Sequence, residues 1–299
     1  MLSNLYYEID KVAHYLFSCM FSKRAYKHYR QMYKDNGIVV QPLTRAEKQE
    51  IKRRWKLKRA FVGVYDTHKL YKSITGKFDV EICSEQLFRT KIEPQLIDKK
   101  CRDAWDDKNL FSKYLPNVPF PKTVVRNMYG TFFDKDYNVT DFNEAYDIVK
   151  DKLPVIIKPS IASGLSRGIK KIKTIDELDK AFTEYKSNYI IQEIIKPCEE
   201  LRKLSINAVP IIRMITFCID GKPEFVSATL RTNTLKDAVS DNYITPDGMG
   251  MLTIGVDENG RLGNIGRYSS GIAVEKMPNG FDFCGVKIPK FNELKDIVL

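Results

Sequence analysis

Apolar positions recur every three or four residues at the start of the chain, at Leu5, Ile9, Val12, Leu16 and Met20, with Ala13 and Phe17 beside them. That spacing predicts one long helix over residues 2–35, stopped by Asn36-Gly37. Tyr6, Tyr7, Tyr15, Tyr26 and Tyr29 punctuate it and read as a packing face rather than a binding stripe. A second helix opens at Thr44, which forms a capping box with Glu47 three residues later. Residues 61–65 and 78–82 read either as strands or as loop-flanked pieces. A short helix through Leu110, Phe111 and Leu115 then precedes a turn marked by Pro116, Pro119 and Pro121, followed by a strand at Thr123, Val124 and Val125.

The second half is richer in strands. A helix over 142–149 leads into VIIKPSIASGLSRGIKKI at 155–172, an apolar strand, a loop of small residues and a return strand through Ile169, Ile172 and Ile175. Thr174 is placed to cap a helix over 176–185, and residues 189–195 (YIIQEII) form an apolar strand interrupted by Gln192 and Glu193 and ended by Lys196-Pro197. Strands at 211–219 and 224–232 flank an Asp220-Gly221 turn, a strong hairpin signal. A polar loop at 240–250 precedes another strand, and a helix begins after Pro289.

Composition narrows the class. With 299 residues, 43% hydrophobic and 29% charged, the chain is long enough for two domains with real cores. Lys and Arg outnumber Asp and Glu by 49 to 38, and the net charge of +11 favours phosphate-bearing or polyanionic partners. Six scattered cysteines, none in a Cys-x-x-Cys pair, argue against a disulfide framework or zinc site and suggest a reducing cytoplasm. The acidic start and the lack of an apolar run near the roughly 18 residues of a membrane helix predict neither a signal peptide nor a span. Residues 45–59 carry eight basic side chains against Glu47 and Glu50, with Trp55 among them. That segment reads as a solvated helix face, with peripheral contact to anionic surfaces as the alternative.

The candidate chemistry gathers on strands. Lys158 follows a buried-type strand, and Gly164 and Gly168 leave loop backbone free to close on an anion; a plain hairpin with an exposed lysine is the alternative. The polar stop at Gln192-Glu193 suits a hinge whose backbone meets an adenine ring, and Glu199 or Glu200 is placed to hold ribose hydroxyls or to remain surface charge. Arg213 and Arg231 lie on the hairpin strands; buried there, they require an anion or carbonyl partners. Asp241, Asn242 and Asp247 face either a ligand or their own loop. Gly164 to Gly168 also matches Gly-x-Ser-x-Gly, but a strand follows it and His14, His28 and His68 all precede it, which argues against a serine hydrolase. The nucleic-acid reading rests on charge alone, so no specific nucleic acid is expected.

These stretches, in this order, resemble the ATP-grasp superfamily and in particular its sugar-transfer-associated branch. The resemblance rests on DDKNLFSKYLPNVPFPKTVV, VIIKPSIASGLSRGI, YIIQEII, VPIIRMITFCIDGKPEFVSATLR and SDNYITPDGMG, from about residue 90 to the end. It implies an α+β fold in which two lobes sandwich the nucleotide, here with an N-terminal helical extension over 1–60, a linker region over 61–150 and the ATP-grasp domain over 151–299. It implies ATP and Mg2+ as cofactors. Lys108 and Lys158 would meet the phosphates, with Ser163, Gly164, Ser166 and Gly168 as the flap over them. Gln192, Glu193, Ile194 and Ile195 would meet adenine, and Glu199 would lie nearby. Arg213 and Arg231 would stand at the transferred phosphoryl group. The activity implied is carboxylate–amine ligation through an acyl phosphate, with sugar-linked substrates. Two departures stand out: the flap has fewer glycines than the family's usual form, and the family's Asp…Glu-x-Asn metal set is not found in 257–299. The second leads us to expect either a chain that stops short of that set or an ATP-binding module without catalysis. A basic nucleic-acid or membrane-surface binder is the remaining alternative.

Overall fold

The structure is a computed structural model that describes residues 2–57, 63–97, 105–161, 163–164 and 167–299. Its described residues form a mixed α+β architecture with two antiparallel sheets, consistent with the ATP-grasp fold. Helix α1 (Leu2–Asp35) leads to α2 (Arg45–Arg54), where Thr44 Oγ1 accepts from Glu47 N and the Glu47 carboxylate accepts from Thr44 N. The expected capping box is therefore formed. Next come α3 (Asp66–Thr75) and α4 (Glu85–Leu87), which continues through a π-helical turn (Phe88–Ile92) into α5 (Glu93–Leu96). Helix α6 (Phe111–Tyr114) precedes the first sheet.

That sheet has the order β3-β2-β1-β6-β4-β5. Its strands are β1 (Thr123–Met128), β2 (Thr131–Phe133), β3 (Val139–Thr140), β4 (Val155–Pro159), β5 (Lys170–Ile172) and β6 (Tyr189–Glu193). Helices α7 (Phe142–Lys150) and α8 (Ile175–Glu184) cover one face. Val155 and Ile157 of β4, with Tyr189 and Ile191 of β6, pack against Ala145, Val149, Leu178 and Ala181. Each such aliphatic burial contributes about 1.5–3 kcal/mol. Because strand side chains alternate, that packing turns Ile156, Lys158 and Gln192 to the opposite face. Lys158 is therefore positioned by the hydrophobic residues on either side of it in sequence.

The second sheet, β11-β10-β9-β8-β7, comprises β7 (Ile211–Ile219), β8 (Lys222–Asn233), β9 (Met251–Val256), β10 (Leu262–Tyr268) and β11 (Ala273–Val274). After β6, helix α9 (Glu199–Arg202) leads into it, and α10 (Phe291–Val298) follows it. Its core face carries Leu230, Leu252 and Ile254, with Phe283 from the segment after β11 and Ile212 and Met214 of β7 in the same cluster. Ile211 pairs with Arg231, Arg231 with Thr253, and Thr253 with Arg267, so these residues form one row across the other face. The C-terminal half of α1 docks beside this sheet through buried Met32 and Tyr33, and Asn36 donates to the Asp247 carbonyl across 2.8 Å.

Some open readings are settled and other expectations are corrected. Residues 78–82 are turn and coil rather than strand: Trp55 Nε1 donates to Val80 O, and Arg54 grips Glu81 with both Nε and Nη2, so the segment is held by α2 without a partner strand. Residues 63–65 form a turn, and the rest of the 61–65 pattern lies outside the described residues. Ile175 begins α8 behind its Thr174 cap and does not extend β5. The apolar stripe of α1 does not pack: Val12, Leu16 and Met20 are exposed. That helix is held by its other positions, with Ser18 and Ser22 buried.

Candidate functional site

A cavity of about 410 Å³ lies between the sheets. Ile156, Lys158 and Gln192 line it from the first sheet, Ile211 from the second and Asp241 from the loop between β8 and β9. The segment after β6 forms its rim, including Glu193, Ile194, Ile195 and Lys196. Gln192 Nε2 donates to Pro121 O at 3.0 Å and Glu193 N donates to Lys122 O at 2.9 Å, which ties this rim to the proline-rich turn before β1.

Lys158 is half-buried on the cavity wall and has no acidic partner among the described residues. Burial, and then the neighbouring charge of Lys108, push its ammonium below the usual lysine range. Such a cation is stabilised by an arriving anion. Lys108 sits at the root of the loop after β4, where its Nζ donates to Ser160 O at 3.2 Å and Ser163 Oγ at 3.0 Å. Ser163 Oγ also reaches Pro159 O, and the fully buried Ser160 Oγ has no hydrogen-bond partner among the described residues. At the far end of the loop, Gly168 adopts φ +70, and a Cβ there would stand 2.8 Å from Pro159 Cγ. Gly164 is exposed and accepts from Arg167 N, whereas Ser166 lies outside the described residues.

The second sheet carries a cationic cluster that lines a separate pocket and whose charge reaches Asp241 on the cleft wall. Arg213 and Arg231 occupy one face, and Arg231 Nη1 donates to Asn242 Oδ1 at 3.1 Å. Burial, then the charge of Arg213, depress Arg231. Asp241 is buried with Oδ2 unpaired among the described residues; burial raises its carboxyl against the opposing pull of Arg213 and Arg231. Arg213 itself is exposed, so its strand position does not force a buried partner on it.

Other expected positions fall elsewhere. Glu199 is exposed at the start of α9, ion-paired with Arg202 at 2.9 Å, and does not line the cavity. Asp247 is exposed and bonded within its own loop by Thr245. Three contributors are not singled out by the sequence: Ser160, and the tyrosines Tyr29 and Tyr33, which lie within electrostatic reach of Arg231 and Arg267 respectively. Of the tyrosines expected to form a packing face on α1, Tyr26 and Tyr29 are half-buried, Tyr15 is exposed, and the side chains of Tyr6 and Tyr7 lie outside what is described.

The arrangement suits a ligand with an apolar ring and a polyanionic tail. The ring would lie between Ile156 and Ile211 beside the backbone of 193–195, and the tail would run toward Lys158, Lys108 and the orphaned Ser160 hydroxyl. ATP fits that description. A magnesium cage made by the protein does not: among the described residues no group of three His, Cys, Asp or Glu side chains converges, and Asp241 stands between arginines. No described helix is long and apolar enough to cross a membrane.

Residues 180–299 match the family model described as sugar-transfer associated ATP-grasp. No curated protein matches the chain. The matched segment begins in α8 and holds β6, the cleft rim, Arg213, Arg231 and the Asp241-Asn242 loop. Over residues 180–299 the chain is thus similar to the sugar-transfer associated ATP-grasp family.

Proposed function

We propose that this protein is an ATP-dependent carboxylate–amine ligase that works through an acyl phosphate in sugar-derivative synthesis. The observation that carries the reading is Lys158: a lysine with depressed basicity and no acidic partner among the described residues, on the wall of a ring-sized cleft that also receives Asp241. Adenine lies against the backbone and side chains of Gln192 to Ile195. Glu193, which lines the cleft, is better placed than Glu199 to accept from ribose hydroxyls. Lys108 and Lys158 hold the phosphates, and the loop carrying Ser163, Gly164, Ser166 and Gly168 closes over them.

In the first step a substrate carboxylate oxygen attacks the γ-phosphorus, the bond to the β,γ-bridging oxygen breaks, and ADP leaves with that electron pair. Arg213 and Arg231 stabilise the charge on the transferring oxygens. In the second, an amine attacks the acyl carbon, inorganic phosphate departs with the former carboxylate oxygen, and the amine loses a proton. A sugar acid labelled with 18O in its carboxylate tests the sequence. Label in the released phosphate supports the acyl phosphate. ATP binding without phosphate release, across sugar acids and amines, would identify an ATP-binding module without turnover. Salt-sensitive binding to anionic vesicles through residues 45–59, with indifference to ATP, would favour the surface-binding alternative.

A further inference from the structure

Helix α1 carries two surfaces that face opposite ways. At the helical repeat, Ser18, Ser22, Met32 and Tyr33 fall on one side, and each of them is buried. That half of the helix is tied to the body: Gln86 Nε2 donates to Cys19 Sγ at 3.0 Å, and His14 Nε2 lies 3.3 Å from Arg89 O. Ile9, Val12, Leu16, Phe17 and Met20 fall on the other side, and each is more than half exposed. Single exposed apolar side chains are ordinary, whereas a contiguous stripe marks a surface that something covers.

The outward side changes character partway along the helix. Lys23, Arg24, Lys27, Arg30 and Lys34 continue the line of the apolar stripe, so that both sets share an arc of about 140°. These cations are all exposed and carry no ion pair among the described residues. Asp35, at the margin of the arc, accepts from Gln31 Nε2 at 2.7 Å. One helix face is therefore apolar over residues 9–20 and cationic over residues 23–34.

Magnitudes separate the surfaces that could cover it. The apolar stretch is a strip about 18 Å long and about 10 Å wide. That is far short of the roughly 800 Å² that each partner gives to a standard protein interface. A second copy lying parallel would also set cations against cations, and an antiparallel one would leave them unused. A nucleic acid would meet the cations and leave the stripe in water. An anionic bilayer satisfies both halves, because apolar side chains enter below the headgroups while lysine and arginine meet lipid phosphates. A rise of about 18 Å falls short of the roughly 30 Å hydrocarbon core, so the helix would lie in the membrane surface and not across it.

We propose that the outward face of α1 is a contact surface for anionic membranes. Residues 9–20 seat below the headgroups, and Lys23, Arg24, Lys27, Arg30 and Lys34 meet the lipid phosphates. The surface is separate from the nucleotide cleft and does not rest on the ligase reading.

Vesicles of phosphatidylcholine mixed with phosphatidylglycerol are the probe, with pure phosphatidylcholine as the uncharged control. Co-flotation of the full chain reads binding without nucleotide. The anionic vesicles are expected to bind at least about tenfold more tightly than the neutral ones, and added salt should weaken that binding. Leu16→Gln with Met20→Gln keeps the net charge and a good helix former at each position, and should weaken binding about tenfold or more. Lys27→Gln with Arg30→Gln should weaken it by a similar factor and flatten the salt response. Lys48→Gln with Lys52→Gln, in the exposed basic α2, should leave it within about twofold of the native chain.

No binding to anionic vesicles, equal binding to neutral ones, loss with the α2 pair, or indifference to both α1 pairs overturns the proposal. A dimer that the Leu16→Gln, Met20→Gln pair disperses, without vesicle binding, also overturns it and assigns the stripe to a second copy. ATP affinity on the same samples keeps the two readings apart. Vesicle binding without ATP binding defeats the ligase reading and spares this surface, and the reverse defeats this surface alone. Every substituted side chain is exposed, so melting temperatures should match the native chain; Val12→Gln with Lys23→Gln replaces a pair that melts early.

Discussion

Arg231 donates from Nη1 to Asn242 Oδ1 across 3.1 Å, while its buried Nε has no hydrogen-bond partner among the described residues. One arm of the guanidinium is thus anchored and its Nε is shut off from solvent. Asp241, the residue before Asn242, likewise leaves Oδ2 unpaired among the described residues, although its charge and that of Arg231 perturb each other. An arginine held in this way is pre-oriented for a planar or tetrahedral oxyanion, because its fork geometry is already set.

The buried carboxyl of Asp241 makes stability depend on pH in a defined direction. Its folded value lies above the ordinary 3.8, so the folded state holds that proton more tightly than the unfolded chain does. The associated stability is present below 3.8 and is lost as pH rises through the folded value. Asp241→Asn removes this loss. The melting temperature of the variant relative to the native chain should therefore climb as pH is raised from 3.8, and a constant difference would contradict the assignment.

Lys158 predicts the pH response of ligand binding. Its ligand-free ammonium loses its proton below the usual 10.5, and a bound triphosphate restores the charge. ATP affinity should fall as pH rises through the ligand-free value, with proton uptake on binding in that window. The sign for the free protein is the reverse: burial of the charge lowers stability below the folded value, and stability returns as pH rises from there toward 10.5. Calorimetry in buffers of different ionisation enthalpy reads the proton uptake. Lys158→Arg, which stays charged, should show a flatter affinity profile.

The loop root makes a steric prediction. Gly168→Ala places a Cβ 2.8 Å from Pro159 Cγ at φ +70, where L side chains are strained. A cost of about 1–3 kcal/mol is expected, visible in denaturant unfolding, together with weaker ATP binding. An unchanged midpoint would mean that the loop has another resting conformation.

Arg126 has a structural task. Its side chain is buried, donates to Asn109 O, Asp134 O and Lys135 O, and stacks 3.9 Å from the centre of the Tyr137 ring. Arg126→Met leaves those carbonyls without their donor and should destabilise by about 3 kcal/mol or more. The ATP affinity of the folded fraction should not move. Unfolding and titration of the same preparation separate the two effects.

Local signals were legible where the chain carries its own stop and start chemistry. Thr44 with Glu47, Thr174 before α8 and Asp220-Gly221 between β7 and β8 each use only neighbouring residues. The alternation at Phe78, Val80 and Ile82 left strand and loop both open because pairing depends on a partner strand, and Trp55 and Arg54 supplied other partners instead. Helix α3 lacks a side-chain cap at Tyr65, so its start left little trace. For the site, Lys158 and Arg231 followed from strand position. The depth of Asp241, the orphaned Ser160 hydroxyl and the meeting of Tyr29 with Arg231 depend on how distant segments pack, which no local pattern encodes.

The central claim is that the cleft between the sheets holds ATP with Lys158 on its phosphates. The most direct measurement is calorimetric titration of the native chain with Mg–ATP, alongside Lys158→Ala. Loss of a charge-assisted contact is worth about 1.5–3 kcal/mol, so the variant should bind roughly ten- to hundredfold more weakly with its melting temperature retained. Native binding that survives Lys158→Ala unchanged, or no saturable binding by the native chain, would contradict the account.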